Sequence, residues 1–244
     1  MLHFLHLIVS RCLATLGSVG VLLLTSASTW AARPFVVDDA RIVDQGACQV
    51  ESWYKRNAAS TEYWALPACN PFGLELSAGV GVLQHGGPDV HDERDYQFQV
   101  KGLFRELRAN DFGWGLAAGV VRHADINLAP NLIGNYYAYV PVSRSLADDK
   151  VVLLGNVGVV NNRDADRRGL LWGGGGEFYV TPRVVLLGEI YGATGFDRFT
   201  QAGIRVWIVP DHVQLDSTYG AQLNGGDRIE WFTLGFRLIS KRFY

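Results

Sequence analysis

The strongest constraint on the fold is an alternation of apolar with polar or small residues that recurs about a dozen times. Residues 228–238 carry Phe232, Leu234, Phe236 and Leu238 on one face, and Trp231, Thr233, Gly235 and Arg237 on the other. Successive side chains of a strand point to opposite sides, so a period of two predicts β-strands, not helices. Many strands with one apolar face and one small or polar face are typical of a transmembrane β-barrel.

The pattern predicts an all-β fold, a transmembrane antiparallel up-and-down β-barrel of about twelve strands. The strands are expected at residues 47–56, 60–66, 73–84, 94–106, 112–123, 133–143, 150–161, 168–181, 183–193, 198–209, 211–222 and 227–239. Short connections alternate with longer polar ones, and an even strand count then places both termini in the periplasm. A soluble β-sandwich or lipocalin-like barrel stays open, and it would turn the apolar faces inward.

The N-terminus has the layout of a secretory signal peptide. Arg11 precedes an uncharged apolar run over residues 12–24, and Thr29 and Ala31 suit the positions before a cleavage site. An uncleaved anchor is the alternative, but the run is shorter than the ~20 residues of a spanning helix. We therefore expect a signal peptide over residues 1–31, a periplasmic segment over 32–46 and an outer-membrane barrel over 47–244.

Charge and cysteine content narrow the class of partner and the compartment. The formal net charge of −2 gives no reason to expect a nucleic-acid partner. An exported protein meets an oxidising environment, so Cys48 and Cys69 are expected to form a disulfide at the periplasmic rim. The expected location is a bacterial outer membrane, with its lipid as the partner, and no oligomeric state is predicted.

The alternation also predicts which side chains face lipid and which face the lumen. The expected lipid-facing residues are Phe98, Val100, Trp114, Leu116, Ile204, Val206, Leu234 and Phe236. Charges are costly on the lipid side, so charged residues of the opposite face should line the lumen. The expected lumen-lining residues are Lys101, Arg105, Glu177, Glu189, Arg205, Asp216 and Arg237, with the aromatic Tyr137, Tyr139 and Trp207.

The lumen charges leave two interpretations open. They form either a polar pathway or a paired network that fills a narrow barrel, since interior width grows with strand number. As a pathway, a wall of both signs would favour small neutral or weakly polar solutes. The function expected first is thus a channel or transporter for small solutes, with a structural barrel whose lumen is plugged as the alternative.

Catalysis and cofactor binding have weaker support. A hydrolase needs a nucleophile beside a base, and His123 with Asp125 has no obvious serine partner, so no catalytic residues are assigned. A lipid-modifying or proteolytic enzyme is the third interpretation. The polar stretch at residues 85–95 holds imidazole and carboxylate groups, which suit a divalent cation, but a solvated loop is the commoner case. We expect no metal and no cofactor.

Four consecutive glycines at 173–176 lack the Gly-Lys-Ser/Thr ending of a phosphate loop, and in a strand they indicate close backbone approach.

One segment resembles a known family. Arg33-Pro-Phe-Val-Val-Asp-Asp-Ala40, followed by Gly46-Ala-Cys-Gln-Val-Glu51, is similar to the start of proteobacterial outer-membrane proteins described as putative phenol-degradation meta-pathway proteins or transporters. Val37 stands where that family usually has threonine. The resemblance implies an outer-membrane barrel for uptake of aromatic or other hydrophobic compounds, and it carries over no catalytic residue.

Overall fold

The protein forms a closed barrel of twelve β-strands in a computed structural model that describes residues 35–85, 92–123, 135–163, 166–225 and 229–243. The strands are β1 (Cys48–Asn57), β2 (Ser60–Cys69), β3 (Leu74–His85), β4 (Glu93–Arg105), β5 (Phe112–His123), β6 (Asn135–Leu146), β7 (Val151–Asn162), β8 (Arg167–Thr181), β9 (Val184–Ala193), β10 (Arg198–Val209), β11 (Val213–Gln222) and β12 (Glu230–Ile239). The predicted signal peptide at residues 1–31 lies outside the described residues.

Each strand pairs antiparallel with its neighbours in sequence, and β1 pairs with β12 to close the sheet. Closure leaves no strand edge unpaired, which a sheet surrounded by lipid requires. The prediction of an up-and-down barrel is confirmed, and each predicted strand overlaps one observed strand. Among the described residues there is no helix that is long and apolar enough to cross a membrane.

Two prolines interrupt the ladder locally. The β5–β6 register passes from Trp114↔Val142 to Ala117↔Tyr139, and Pro141 lies in that gap on β6. On its other side Pro141 still pairs with Asn156 of β7. Pro67 causes a similar gap between β2 and β3, where pairing stops at Ala65↔Val80. A proline has no N–H to donate, so each of these residues removes one hydrogen bond of the ladder to one neighbouring strand. Pairing with the strand on the other side continues.

The outer surface of the barrel is apolar. Phe98, Trp114, Leu116, Ile204, Leu234 and Phe236 are exposed on it, and Val100 and Val206 lie half-buried on the same face. An exposed apolar belt around a closed barrel is the surface that contacts lipid. The alternative of a soluble sandwich or lipocalin-like barrel is therefore wrong, because it needs these side chains inside.

The predicted disulfide is confirmed. Cys48 and Cys69 are directly opposite each other where β1 begins and β2 ends, with Cα atoms 4.0 Å apart. Their sequence separation is 21 residues. The bond joins the first two strands at the barrel end that also holds the C-terminal end of β12, since the N–H of Ser240 donates to the carbonyl of Cys48.

Removing this bond should destabilise the barrel by about 3 kcal/mol, the chain-entropy value for a loop of roughly 20 residues. The test is urea unfolding of Cys48→Ala/Cys69→Ala in lipid vesicles against the oxidised protein. Free thiols in the exported protein, or equal unfolding midpoints for the two forms, would contradict the expectation.

Val206→Arg tests the facing of the strands. An arginine on the lipid side near the bilayer midplane should cost roughly 2–4 kcal/mol of folding free energy. The complementary measurement is labelling of Val206→Cys with a water-soluble reagent that cannot cross membranes. Fast labelling in vesicles would mean that the strand faces the other way.

Candidate functional site

The interior of the barrel is polar and contains a second piece of chain. Residues 35–47, here called the N-terminal segment, run through the barrel interior to the start of β1, and Phe35, Val37, Ala40, Val43 and Ala47 are buried. Asp44 and Gln45, close to β1, are exposed. The sequence analysis placed residues 32–46 in the periplasm. For the described part that placement is wrong, because the segment turns back from the start of β1 and enters the lumen.

The backbone of the N-terminal segment is held by side chains of the wall. The N–H groups of Val36 and Val37 donate to the two carboxylate oxygens of Glu189 on β9, each at 2.8 Å. The N–H of Ala40 donates to Ser143 Oγ on β6 at 2.8 Å. A chain without secondary structure leaves its amides unpaired, and hydrogen bonds from the wall remove the cost of burying them.

Further anchors lie on the opposite wall and on β7. The N–H of Asp38 donates to Asn156 Oδ1 at 2.7 Å, and Asn156 Nδ2 donates back to the carbonyl of Asp38 at 2.8 Å. The N–H of Val43 donates to Glu75 Oε2 on β3 at 2.9 Å. The segment is thereby bound to β3, β6, β7 and β9, so it crosses the lumen.

Ion pairs join the N-terminal segment to two of the predicted lumen residues, Lys101 and Glu177, and Glu177 also pairs with a third, Arg205. Lys101 Nζ lies 2.8 Å from Asp38 Oδ2. Glu177 binds two guanidinium groups, with Arg205 Nη1 at 2.7 Å and Arg41 Nη1 at 3.0 Å. Arg205 and Glu177 are both buried in the barrel, so their opposite charges offset the cost of removing each from water.

A glycine in β8 makes room for the segment. A Cβ added to Gly173 would come 2.7 Å from Cγ2 of Val37, a separation that real Cβ atoms do not show. The adjacent Gly174 has open space where its Cβ would be. The close approach expected for the run at 173–176 therefore has a defined partner, the side chain of Val37.

Tyrosines on β6 extend the polar network. The Tyr137 hydroxyl accepts from Gln97 Nε2 at 3.0 Å and donates to Gln99 Oε1 at 2.8 Å. The Tyr139 hydroxyl donates to Asp38 Oδ2 at 2.9 Å. Both rings lie inside the barrel, stacked with centroids 6.0 Å apart, and they contact polar groups of β4 and of the N-terminal segment.

Three of the remaining predicted lumen residues, Asp216, Arg237 and Trp207, are on the inward face of the wall. Asp216 lies buried inside, directly across the β10–β11 ladder from Arg205. Arg237 also points inward, with its Nε 2.7 Å from Gln49 Oε1 and 3.4 Å from Glu51 Oε1. Trp207 is half-buried beside the register shift near the end of β10.

Arg105 is the exception, and its predicted lumen position is wrong. A register shift between Leu103 and Arg105 reverses the facing at the end of β4, so that Arg105 lies opposite Trp114 on the outer face. Its guanidinium lies over the Phe112 ring and bonds Asp111 at 2.7 Å and 2.8 Å. Hydrogen bonds from Arg105 and from the Phe112 N–H lower the pKa of Asp111, which keeps this surface pair charged.

The half of the interior that is farther from the Cys48–Cys69 disulfide is lined by aromatic rings. Trp53 and Trp64 stack across β1 and β2 with centroids 5.7 Å apart, and both are buried. Trp231 packs edge-on against Phe199 at 5.8 Å, and Lys55 Nζ lies 5.2 Å from its ring centre. Gly81 and Gly220 lie under Trp64 and Trp231, where a Cβ would collide with the indole rings.

The histidines give no support for a metal or catalytic centre in the described part of the chain. His123 Nδ1 lies 2.7 Å from Asp95 Oδ1 in a buried pair, and His85 Nε2 lies 3.3 Å from Glu93 Oε1. Across the described ranges no group of three or more histidine, cysteine or carboxylate side chains could hold a metal ion. Asp125, together with residues 86–91 of the polar stretch, lies outside those ranges.

Sequence reasoning missed the N-terminal segment and its anchors Ser143 and Asn156. Phe35, Val36 and Val37 followed by Asp38 and Asp39 were the available signal, because three adjacent apolar residues are unexpected in a solvated periplasmic tail. Ser143 and Asn156 are short polar residues on inward positions, and nothing in their own sequence surroundings marks them as partners of a distant segment.

Comparison with known proteins places the chain in a family. The model of the family described as Uncharacterised conserved protein UCP029691 matches residues 20–239. The chain belongs to this family. The match is not to the phenol-degradation family that residues 33–51 resemble, so that resemblance is not confirmed. No curated protein sequence matches the chain.

Solved structures share the architecture. The protein is similar to a structure described as KdgM porin, with 9% identity over 78% of this chain and 98% of that chain and a TM-score of 0.58. It is also similar to an outer-membrane channel from Pseudomonas putida F1, with 11% identity over 83% of this chain and 98% of that chain and a TM-score of 0.55. At these identities the likeness shows the fold alone, which is that of outer-membrane β-barrels.

Arg205→Ala should strongly destabilise the barrel. The substitution removes one of the two cations that bind the buried carboxylate of Glu177, and breaking a buried pair costs roughly 3–5 kcal/mol. The measurement is the free energy of unfolding in vesicles. Arg105→Ala is the matched control, because it breaks an exposed pair on the outer face and should change stability little. Equal losses for the two variants would contradict the assignment of Arg205 to the interior network.

Proposed function

We propose that the protein is an outer-membrane channel for small solutes whose lumen is closed by its own N-terminal segment. The observation that carries the proposal is the way this segment is held. Its contacts with the wall include hydrogen bonds and ion pairs to Glu189, Asn156, Ser143 and Lys101, groups that water can replace when the segment moves.

A polar interior is a poor choice for a barrel with only a structural role. Buried ion pairs are often no more stabilising than well-packed apolar residues of similar volume. The pair Arg205–Glu177 and the ion pair of Lys101 with Asp38 therefore need a reason other than stability. A solute path supplies that reason, because charged groups can set which solutes pass.

A plugged structural barrel is the second candidate. It is favoured by how closely the interior is filled, with Trp53, Tyr137, Lys101 and Arg205 all buried. In this alternative the N-terminal segment never leaves the lumen. The two candidates therefore differ in one property, the mobility of the segment relative to the wall.

Uptake of an aromatic solute stays a prediction, and its support in the structure is the tyrosine pair on β6. Tyr137 and Tyr139 stack inside the barrel and would offer ring faces to a passing solute. Their hydroxyl groups already bind Gln97, Gln99 and Asp38, so they also take part in the polar network.

Gly173→Val should open the channel, since the new side chain would occupy the space of Val37 and displace the N-terminal segment from the wall. Planar-bilayer conductance should rise above that of the unmodified protein. Gly174→Val is the matched control, because the neighbouring position is not crowded and conductance should not change.

The opposite experiment locks the segment in place. Ala40→Cys with Ser143→Cys should form a disulfide, since the Ala40 N–H lies 2.8 Å from Ser143 Oγ, and the locked barrel should not conduct. Reductant should restore conductance, and the unmodified protein with reductant controls for loss of the Cys48–Cys69 bond. Silence of both the Gly173→Val variant and the unlocked protein would overturn the channel and leave the structural barrel.

A further inference from the structure

A ring of arginines lies on the outer surface of the barrel, at the end opposite the Cys48–Cys69 disulfide. Strands β1 and β5 end there, and β4, β8 and β10 begin there. On each of these five strands the outward residue nearest that end is an arginine: Arg56, Arg94, Arg122, Arg168 and Arg198. The ladder shows their facing, since Arg56 pairs with the exposed Phe232 and Arg122 with the exposed Tyr96.

A belt of tyrosines indicates the depth of these arginines in the membrane. The outer face near the same end carries Tyr54, Tyr63, Tyr96, Tyr136 and Tyr219. Aromatic side chains concentrate where lipid chains meet headgroups. Arg56 lies two residues beyond Tyr54, which is about 7 Å farther along the strand. The guanidinium groups of the ring therefore reach the level of the lipid phosphates.

Acidic side chains at this rim have other partners. Glu230 accepts from Tyr219 Oη at 2.6 Å, and Asp92 accepts from Gln84 Nε2 at 3.3 Å. Among the described residues, no carboxylate lies within ion-pair distance of Arg56, Arg122, Arg168 or Arg198. These guanidinium groups are open to an anion from the membrane.

The disulfide end of the barrel differs in this respect. Its outward arginines are Arg105 and Arg144, and both approach Asp111, at 2.7 Å and 4.0 Å. The remaining outward positions at that end are mainly aliphatic or aromatic, as at Leu238 on β12 and Val180 on β8. The barrel thus presents uncompensated positive charge to one leaflet only.

Four consecutive strands, β5 to β8, carry the longest polar stretch of this rim. Tyr136 on β6 is directly across from Asn161 on β7, which is across from Arg168 on β8. On the other side Tyr136 pairs with Val120 of β5, two residues before Arg122. We call Arg122, Tyr136, Asn161 and Arg168 the rim patch.

Arg122 gives an independent indication that the rim patch takes a ligand. Its Nε is buried and donates no hydrogen bond in the part of the chain that the structure describes. A buried donor without an acceptor costs free energy. Turning this half-buried side chain toward a phosphate would remove that cost, because a guanidinium can donate two parallel hydrogen bonds to phosphate oxygens.

We propose that the rim patch binds a glycolipid of the outer leaflet whose headgroup carries two phosphates. Arg122 and Arg168 are three strand spacings apart, roughly 14 Å at about 4.8 Å each, so each takes one phosphate. Tyr136 and Asn161 lie between them and can hydrogen-bond to sugar hydroxyl groups. With both termini in the periplasm, this end faces the exterior. The inference is independent of the proposed channel function.

The acyl chains have a matching surface directly below the patch. Val159 on β7 and Leu170 on β8 are the next outward residues toward the middle of their strands, and both are exposed. A lipid bound by its phosphates would lay its chains on these side chains, which adds apolar contact to the charged contacts.

Native mass spectrometry of the full barrel in detergent measures the binding. The probes are lipid A with two phosphates, lipid A with one phosphate, phosphatidylglycerol and phosphatidylcholine. The affinity should fall in that order. Arg122→Gln with Arg168→Gln should weaken binding of the two-phosphate lipid A by roughly tenfold or more, the loss expected when hydrogen bonds to charged groups are removed.

Arg105→Gln with Arg144→Gln is the matched control, because it removes the same two charges from the outer face at the opposite end and should leave the affinity unchanged. Heat-dependent mobility in gels checks that each variant folds. If the glutamine variant does not fold, Arg122→Lys with Arg168→Lys replaces it; this variant keeps the charges, loses the paired hydrogen bonds and should bind with intermediate affinity. Equal affinities of the unmodified protein for two-phosphate lipid A and phosphatidylglycerol, or equal losses in the two glutamine variants, would overturn the proposal.

Discussion

The structure depends on compensation of charge inside a closed barrel. Lipid requires that the outer face be apolar, so the charged half of each strand must point inward. Removed from bulk water, those groups need partners within hydrogen-bond distance. Glu177 shows how the need is met, since one of its cations comes from β10 and the other, Arg41, comes from the N-terminal segment.

The N-terminal segment therefore neutralises charges of the barrel wall as well as occupying the lumen. It brings Asp38 to Lys101 and Arg41 to Glu177, and it takes its own backbone partners from Glu189 and Asn156. If the segment left the lumen, water would have to solvate these groups. Water offers hydrogen bonds nearly as favourable in enthalpy. It cannot replace the packing of Phe35 on Val185 and Leu187 or of Val37 on Val152 and Leu154, so leaving the lumen would also expose these apolar side chains.

The strands could be predicted from sequence because their signal is local. Alternation in residues 228–238 predicts which side chains of β12 face inward. The same rule predicts that Lys101, Glu177 and Arg205 point into the barrel, where they are buried. The rule is wrong at Arg105, because a register shift after Leu103 reverses the side to which the next side chains point. An alternation of period two in the sequence does not reveal such a shift. Cys48 and Cys69 were predictable because short antiparallel neighbours meet directly across a ladder.

The N-terminal segment could not be predicted because its contacts are remote. Val37 lies 152 residues from Glu189 in sequence, and the segment has no periodic pattern of its own. Only the folded barrel brings β7, β9 and the glycine at 173 around it. The sequence thus identified most of the charged wall, while the segment that it binds could be found only from the structure.

Hydrogen–deuterium exchange of residues 35–47 in the vesicle-embedded protein tests the central claim most directly. The amides of Val36, Val37, Asp38 and Val43 should exchange far more slowly than those of an unstructured chain, because wall side chains bind them inside the barrel. Asn156→Ala should speed this exchange, while Asn161→Ala, on the outer face of the same strand and paired with the exposed Tyr136, should not. Exchange of the segment at the rate of an unstructured peptide in the unmodified protein would contradict its location in the lumen.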